Sequence, residues 1–573
     1  MSAVWLRRHT GAILQPPLKA DRPPSERRGD SAPAPGATAR AAIGVSPAAE
    51  LVRLRGLFDS LEQALPVAFV APSDEGIEAM LHLGHGEPLP GLAALPTLRL
   101  ADGSGPHEHL EVALSGTPPL DRSLRGQRLD EERCAAETLN ADRGDAILAT
   151  AGPAPGRPLW VRRPADGTWS ETVVASLDPL EETDVLRDQL RPGRFLALTA
   201  LLHFLREVAG ERAFVAPPLR ACFMVDDPNL HRRRYGCLDF DRLADHAMRG
   251  RYHVAMAAIP LDMFATSAAA RGAFTAAGGR LSLLVHGVDH FGAEFMRERS
   301  AAEWEAPLAA ALRRVARFER SGGPVVERIM VPPHDICTLA SMDAMLRLGF
   351  EAVSTCWAFP QPPGRPPKGW PLAGFELSQM LVGGLPVIQR WPLVDHSPQE
   401  LVLRAFLRQP LVVFAHHQDL GDLDRLDEAA AAIDALGEVT WTSPGRIART
   451  NVLTRREGST LRVRAHSRRF ELDVEPGVAE VVVELPPTHG KPRFQRFTLD
   501  GHSCELTATA AGWRSEPILV APGRIEAAFT PRDKLQLEGI PAYRPALTPI
   551  LRRIATETRD RGLPVARRLR RRI

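Results

Sequence analysis

The sequence predicts an α/β protein whose centre is a distorted (β/α) barrel, flanked by an N-terminal α/β domain and a small C-terminal β-sandwich. Three observations carry this prediction. Between about residues 218 and 450, apolar runs alternate with helix-like stretches, which implies parallel strands joined by right-handed crossovers. Acids and imidazoles follow several of these runs, as they do at the carboxyl ends of barrel strands, rather than gathering at one switch point. From about 453, the helical period gives way to period-two alternation broken by turn residues.

In chain order, residues 1–48 are rich in Pro, Ala, Arg and Gly and read as a disordered tail. Residues 49–210 form the N-terminal domain, with helical periodicity at 50–65 and 184–191 and short strands at 66–70, 146–149 and 158–161. It carries no chemical motif, so support or partner binding is its expected role, with a degenerate nucleotide-binding or amidotransferase-like fold left open. The barrel takes residues 211–452, with strands at 221–225, 253–259, 281–286, 328–331, 352–356, 411–415 and 439–442. Its clearest helices are 301–320, 398–407 and 423–436. The β-rich domain takes 453–545, with alternating runs at 460–464, 470–474, 480–485 and 525–529 expected to pair antiparallel. Residues 546–573 end in a run of arginines and read as a solvated basic tail.

Bulk composition is that of an ordinary globular chain, 44% hydrophobic and 24% charged. A formal charge of +2 gives no electrostatic handle on nucleic acid. The six cysteines lack paired or C-x-x-C spacing, so reduced thiols are expected rather than disulfides or a structural zinc site. The first fifteen residues carry arginines and a histidine where a secretory signal needs an apolar segment, and a cytoplasmic enzyme is the expectation. The longest apolar run, 195–205, is interrupted by Thr199 and His203 and falls short of the ~18 residues of a membrane span.

The chemistry concentrates in two stretches, Met224-Val225-Asp226-Asp227-Pro228-Asn229 and Val285-His286-Gly287-Val288-Asp289-His290, each after an apolar run. One carboxylate with two histidines makes a metal site that keeps positions open for water and substrate. Alone, Asp-Asp-Pro after a strand also reads as a loop start with a capping acid. A third imidazole follows the 411–415 run, where alternation turns one of His416 and His417 inward without saying which. Asn229 opens a polar, basic loop through Tyr235 that suits sugar hydroxyls or an anionic group, and Trp357 offers a stacking surface for a sugar ring or a piece of barrel wall.

Over about residues 218–450 the chain resembles the metal-dependent polysaccharide deacetylases of the glycoside hydrolase/deacetylase barrel superfamily. The resemblance implies that Asp226 is the general base, that Asp227, His286 and His290 are the metal ligands, and that His416, in Val412-Val413-Phe414-Ala415-His416, is the general acid. It departs from the family in three places. Gly287 replaces a hydroxyl residue; Val331-Pro332-Pro333-His334-Asp335 lacks the arginine that orients the base, leaving His334 as a groove residue; and Thr355-Cys356-Trp357 supplies an aromatic without the family's acid. Asp335 and Asp419 are the replacements considered. The implied cofactor is one divalent ion, zinc first, although an Asp-His-His set also accepts iron, cobalt, nickel or manganese. The implied reaction removes an acetyl or similar acyl group from an N-acetylated sugar or glycan precursor. The alternatives are an inactive carbohydrate-binding barrel and an amidohydrolase acting on a small non-sugar amide. A carbohydrate or acylated amine is the expected partner, with no nucleic acid and no integral membrane segment.

Overall fold

The computed structural model describes residues 40–570 except 85–93, 103–106, 136–137, 153–155, 166, 182–183, 358–373, 382–383, 395–396, 487–493 and 510–511. Most of the expected tail, residues 1–39, therefore lies outside the described residues. Its last part does not behave as a tail. Ala41–Ser46 is a buried strand inside a nine-stranded sheet, paired with Val67–Val70 on one side and Ala79–Leu83 on the other. The Ala-Ala-Ile-Gly-Val run that forms it is too short to stand out from the Pro/Ala-rich stretch before it. Five strands of this sheet are parallel, and the rest continue it antiparallel through Arg157–Ala165, Ala146–Ala151, His107–Leu114 and Arg128–Ala135.

The central sheet holds ten strands: β1 (Leu219–Asp226), β2 (Val254–Ala258), β3 (Leu281–His286), β4 (Val326–Val331), β5 (Ala352–Thr355), β6 (Gln379–Leu381), β7 (Leu385–Gln389), β8 (Trp391–Pro392), β9 (Leu411–His416) and β10 (Val439–Trp441). Their order is β6-β7-β5-β4-β3-β2-β1-β9-β8, with β10 also on β1, and every pair is parallel except β6 with β7. β1 has neighbours on both sides and helices outside, so its whole length is buried, and each large apolar side chain withdrawn there contributes about 2 kcal/mol. Crossover helices complete the α/β layer. Ala301–Arg320 starts at a capping box between Ser300 and Glu303 and buries Trp304, Leu308, Leu312 and Val315.

The ladder does not close into the expected barrel. β8 ends the strand order and β7 stands one strand in from the other end, yet only Arg390 separates them in sequence, so the sheet curls until its ends almost meet. The short β6–β7 hairpin takes the edge that closure would need. The sequence reading missed β6 to β8, which are brief and carry a buried arginine among apolar residues.

Beyond residue 452, a six-stranded and a four-stranded sheet enclose a core that includes Val463, Phe470, Val481, Phe497 and Phe529. Pairing there is antiparallel except between Thr460–Ala465 and Glu480–Leu485, which run parallel, a departure from the all-antiparallel expectation. The chain's end also differs from the expected solvated tail. Leu547–Arg570 is a helix whose inner side chains reach the central domain: Arg553 pairs with Asp262, Glu557 with His231, and Asp560 bonds Tyr235. These contacts are polar and span hundreds of residues, so no local pattern announces them. Within the expected tail, 571–573 lie outside the described residues.

Candidate metal centre and its surroundings

The carboxyl ends of β1, β3, β4, β5, β7 and β9 converge, and they bring the predicted ligands together. His286 Nε2 lies 3.5 Å and His290 Nε2 3.3 Å from Asp227 Oδ1. One ligand atom from each residue falls within 4.8 Å of the others, the spacing of donors around a single ion. His286 closes β3, and its Nδ1 lies 2.8 Å from the carbonyl of Val331. A ring nitrogen facing a carbonyl must carry the proton, which leaves Nε2 as the lone-pair side turned to Asp227. Asp227 Oδ1 is buried and has no hydrogen-bond partner among the described residues. A buried acceptor aimed at two imidazole nitrogens is what a cation would satisfy, so the donor set fits a divalent ion. Burial works against the Asp227 carboxylate, yet His286 and His290 hold its pKa well below the usual range. Burial lowers His290 to about 4, which keeps that ring neutral and able to donate its lone pair.

The loop between the two histidines explains the glycine that departs from the family pattern. Gly287 has φ of 64°, and a Cβ there would stand 2.0 Å from Glu294 Oε1 and 2.7 Å from Pro333. Glu294 accepts the backbone N–H groups of Val288 and Asp289 at 2.7 and 3.2 Å, pinning the turn that presents His290. Burial pushes the Glu294 carboxyl up to about 8. Sequence reasoning missed this residue; a lone acid in a loop gives no signal without its partners. Asp227, His290, His334 and Asp335 all take positive φ, between 54° and 79°, so the left-handed backbone concentrates at this end of the sheet.

Asp226, the last residue of β1, is buried and accepts from Arg390 Nη1 at 2.7 Å. Arg390 Nε bonds Asp335 Oδ1 at 3.0 Å, and its guanidinium lies 4.2 Å from the centre of the Phe414 ring. Burial opposes ionisation of Asp226, but Arg390, with smaller contributions from His286 and His416, outweighs it and lowers the pKa. An arginine absent from the 331–335 segment is thus supplied from the seam between β7 and β8. Its sequence signal was a single Arg inside Leu385-Pro386-Val387-Ile388-Gln389-Arg390-Trp391. Asp335 also accepts from Cys356 N at 3.0 Å, so its partners are Arg390 and Cys356.

β1 and β9 pair with Asp226 opposite His416, and the charge of a protonated His416 acts on both Asp226 and Asp227. His416 is half exposed at the mouth, with Nδ1 4.0 Å from Asp419 Oδ2 and its backbone N–H bonded to the same carboxylate. His417 turns the other way and is buried. Its Nδ1 accepts the backbone N–H of Cys237 at 3.4 Å, its Nε2 lies 3.5 Å from Asp560 Oδ2, and Tyr235 packs edge-on against its ring.

The remaining predicted residues are more scattered. His334 is exposed, its ring 5.9 Å from that of His290. Trp357 is 38% exposed rather than built into the wall, and the residues after it, 358–373, lie outside the described ones. Asn229 is buried beside a small cavity lined by Ile259, Met263 and Phe318, and its Oδ1 accepts from His231 N. In the basic loop, Arg233 and Arg234 pair with Asp241 and Asp239. The five described cysteines form no disulfide.

No known protein-family pattern matches this chain, and no curated protein sequence does. Solved structures do. One is a deacetylase with its substrate, 10% identical, with a TM-score of 0.24, covering 39% of this chain and 88% of the other. A second, described as a polysaccharide deacetylase from Mycobacterium smegmatis, is 14% identical, with a TM-score of 0.29 and coverage of 41% and 94%. A third is a family 4 carbohydrate esterase from Streptomyces lividans in complex with acetate, 11% identical, with a TM-score of 0.24 and coverage of 38% and 90%. Figures this low describe at most a distant relationship. They carry no argument about activity, which rests on the side chains themselves.

Proposed function

We propose that this protein is a metal-dependent hydrolase that removes an acyl group, acetyl first, from an N-acetylated sugar or glycan precursor. The observation that carries the reading is the convergence of His286 Nε2 and His290 Nε2 on Asp227 Oδ1, with Asp226 held beside them by Arg390. Asp227, His286 and His290 would hold the ion. When bound, a divalent ion supplies a water of lowered pKa and a Lewis acid for the acyl carbonyl. Asp226, kept ionised by Arg390, accepts a proton from the attacking water. His416, at the open mouth, delivers a proton to the departing amine, a poor leaving group without one. Exposure of Trp357 suits a sugar ring arriving from solvent.

Arg390 also bears on the inactive-barrel alternative. An arginine bonded to Asp226 comes from the seam between β7 and β8, with Asp335 joined to it, which supports turnover against the departures in the sequence motifs. The test is Asp226→Asn. It is expected to lower hydrolysis of N-acetylated oligosaccharides by about 10²–10⁴-fold while bound metal stays at the wild-type level. Unchanged turnover would remove Asp226 from the chemistry.

A further inference from the structure

His416 and His417 are consecutive, and only the first is open to a substrate: the His416 side chain is 49% exposed, whereas His417 is buried at 1%. Their rings point to opposite sides, and one peptide unit joins them. Whatever fixes the His417 ring therefore also fixes the backbone from which His416 projects. That ring is held on both edges. On one, Gly236 takes φ of 55° and brings the 235–237 turn so close that a Cβ there would stand 2.1 Å from His417 Nδ1. The same nitrogen accepts the N–H of Cys237 at 3.4 Å. A nitrogen that accepts leaves the ring proton on Nε2, which faces Asp560 Oδ2 at 3.5 Å. Tyr235 packs edge-on against the ring and donates its hydroxyl to that Oδ2 at 3.2 Å, while Oδ1 takes Arg559 at 2.8 Å.

Asp560 belongs to the C-terminal helix, Leu547–Arg570, which is also anchored by Arg553 on Asp262 and by Glu557 on His231. Asp560 is 2% exposed, and a buried carboxylate is costly unless donors meet it. Its donors are Tyr235, Arg559 and the ring next to the exposed histidine. We propose that Asp560 is a positioning residue for His416: through His417 it fixes the peptide that joins the two histidines and holds His416 towards the departing nitrogen. This rests on the hydrolase reading above, in which His416 delivers the proton. The site at the end of the central sheet is then completed by the last helix of the chain.

The test compares two substrates of the full chain: an N-acetylated oligosaccharide, whose amine must be protonated to leave, and nitrophenyl acetate, whose phenolate leaves without a proton. Asp560→Ala is expected to lower the ratio of amide to ester kcat by about 10–100-fold, because a misplaced acid matters only where a proton is delivered. A merely structural role lowers both rates alike and leaves the ratio unchanged. Asp560→Asn keeps an acceptor at the Oδ2 position and should restore the ratio. Tyr235→Phe, which removes only the hydroxyl on Asp560, should lower it in the same direction, and serves if the alanine variant does not fold. In a His416→Gln background, Asp560→Ala should cost less than about twofold more on the amide, since the two residues act as one. Diethyl pyrocarbonate gives a readout independent of turnover: in the wild type it should modify His416 and spare His417, and in Asp560→Ala it should modify both. An unchanged ratio, additive losses with His416→Gln, or modification of His417 in the wild type overturns the proposal. A wild type that hydrolyses neither substrate overturns the hydrolase reading and, with it, the role given to Asp560.

Discussion

Among the described residues three clusters of acids and histidines lie closely enough to hold an ion, and two of them differ in what already stands beside them. At the end of the central sheet, Asp227, His286 and His290 meet without an arginine or lysine ion-paired to Asp227 among the described residues. Where the helix Leu196–Ala209 meets the N-terminal sheet, Glu171, His203 and Glu207 also come together, but Arg162 reaches Glu171 at 3.3 Å and Glu207 at 2.8 Å, and Trp160 donates to Glu171 at 2.9 Å. The second cluster has its cation built in. Burial then raises Glu171 to about 7 and lowers His203 to about 4, so the pair is driven towards neutral groups. Asp227 is driven the other way, towards the anion. Proximity of donors is therefore a weak criterion by itself; the sign of the local field and the presence of a competing side-chain cation separate a ligand set from a satisfied polar core.

The comparison is most exposed to a metal count. Asp227→Ala should reduce bound divalent ion from about one per chain to background, while Glu171→Gln leaves it unchanged, both read by plasma mass spectrometry. Loss of metal in the Glu171 variant would reverse the assignment. A smaller effect is expected from Arg390→Met, which leaves buried Asp226 and half-buried Asp335 without the arginine that pairs both. Urea unfolding should show a destabilisation of about 3–5 kcal/mol, and Arg162→Met, whose side chain is 19% exposed, should cost clearly less. Equal losses would mean that the two arginines do the same work.

The smallest effect is one of pH. Glu171 has a folded pKa above its ordinary 4.5, so the stability it contributes is complete below about 4.5 and is lost as pH rises through about 7. His203 has a folded pKa below its ordinary 6.5, so its contribution is complete above about 6.5 and is lost as pH falls through about 4. Glu171→Gln removes the first dependence alone. The variant should gain stability relative to wild type between pH 4.5 and 7, by up to about 3 kcal/mol, and match it at acid pH. A difference that does not vary with pH would show that Glu171 is ionised throughout.

The ligand cluster was legible because its members sit in short motifs, each at the end of an apolar run that became β1, β3 or β9. Alternation along β9 limited His416 and His417 to opposite sides, but the choice between them depended on registration with Asp226 across the sheet. Arg390 was not legible, since its role comes from the near-meeting of the two sheet edges rather than from its neighbours in sequence. The strand at Ala41–Ser46 was hidden by composition, and the C-terminal helix by contacts up to 325 residues distant. Period reads burial against the nearest layer, whereas buried ion pairs across the fold leave no period.

Of the seven non-glycine residues described with positive φ, four stand around this site. The left-handed conformation costs about 1 kcal/mol or more at a residue with a side chain, so a search for thermostabilised variants should be drawn to positions 227, 290, 334 and 335. Glycine at Asp227 or His290 would relax the backbone and delete a ligand in the same step, and at Asp335 it would release Arg390. Selection for heat resistance alone would thus erode the chemistry first, and any breeding of a hardier form of this protein has to screen for bound metal as well as for melting temperature.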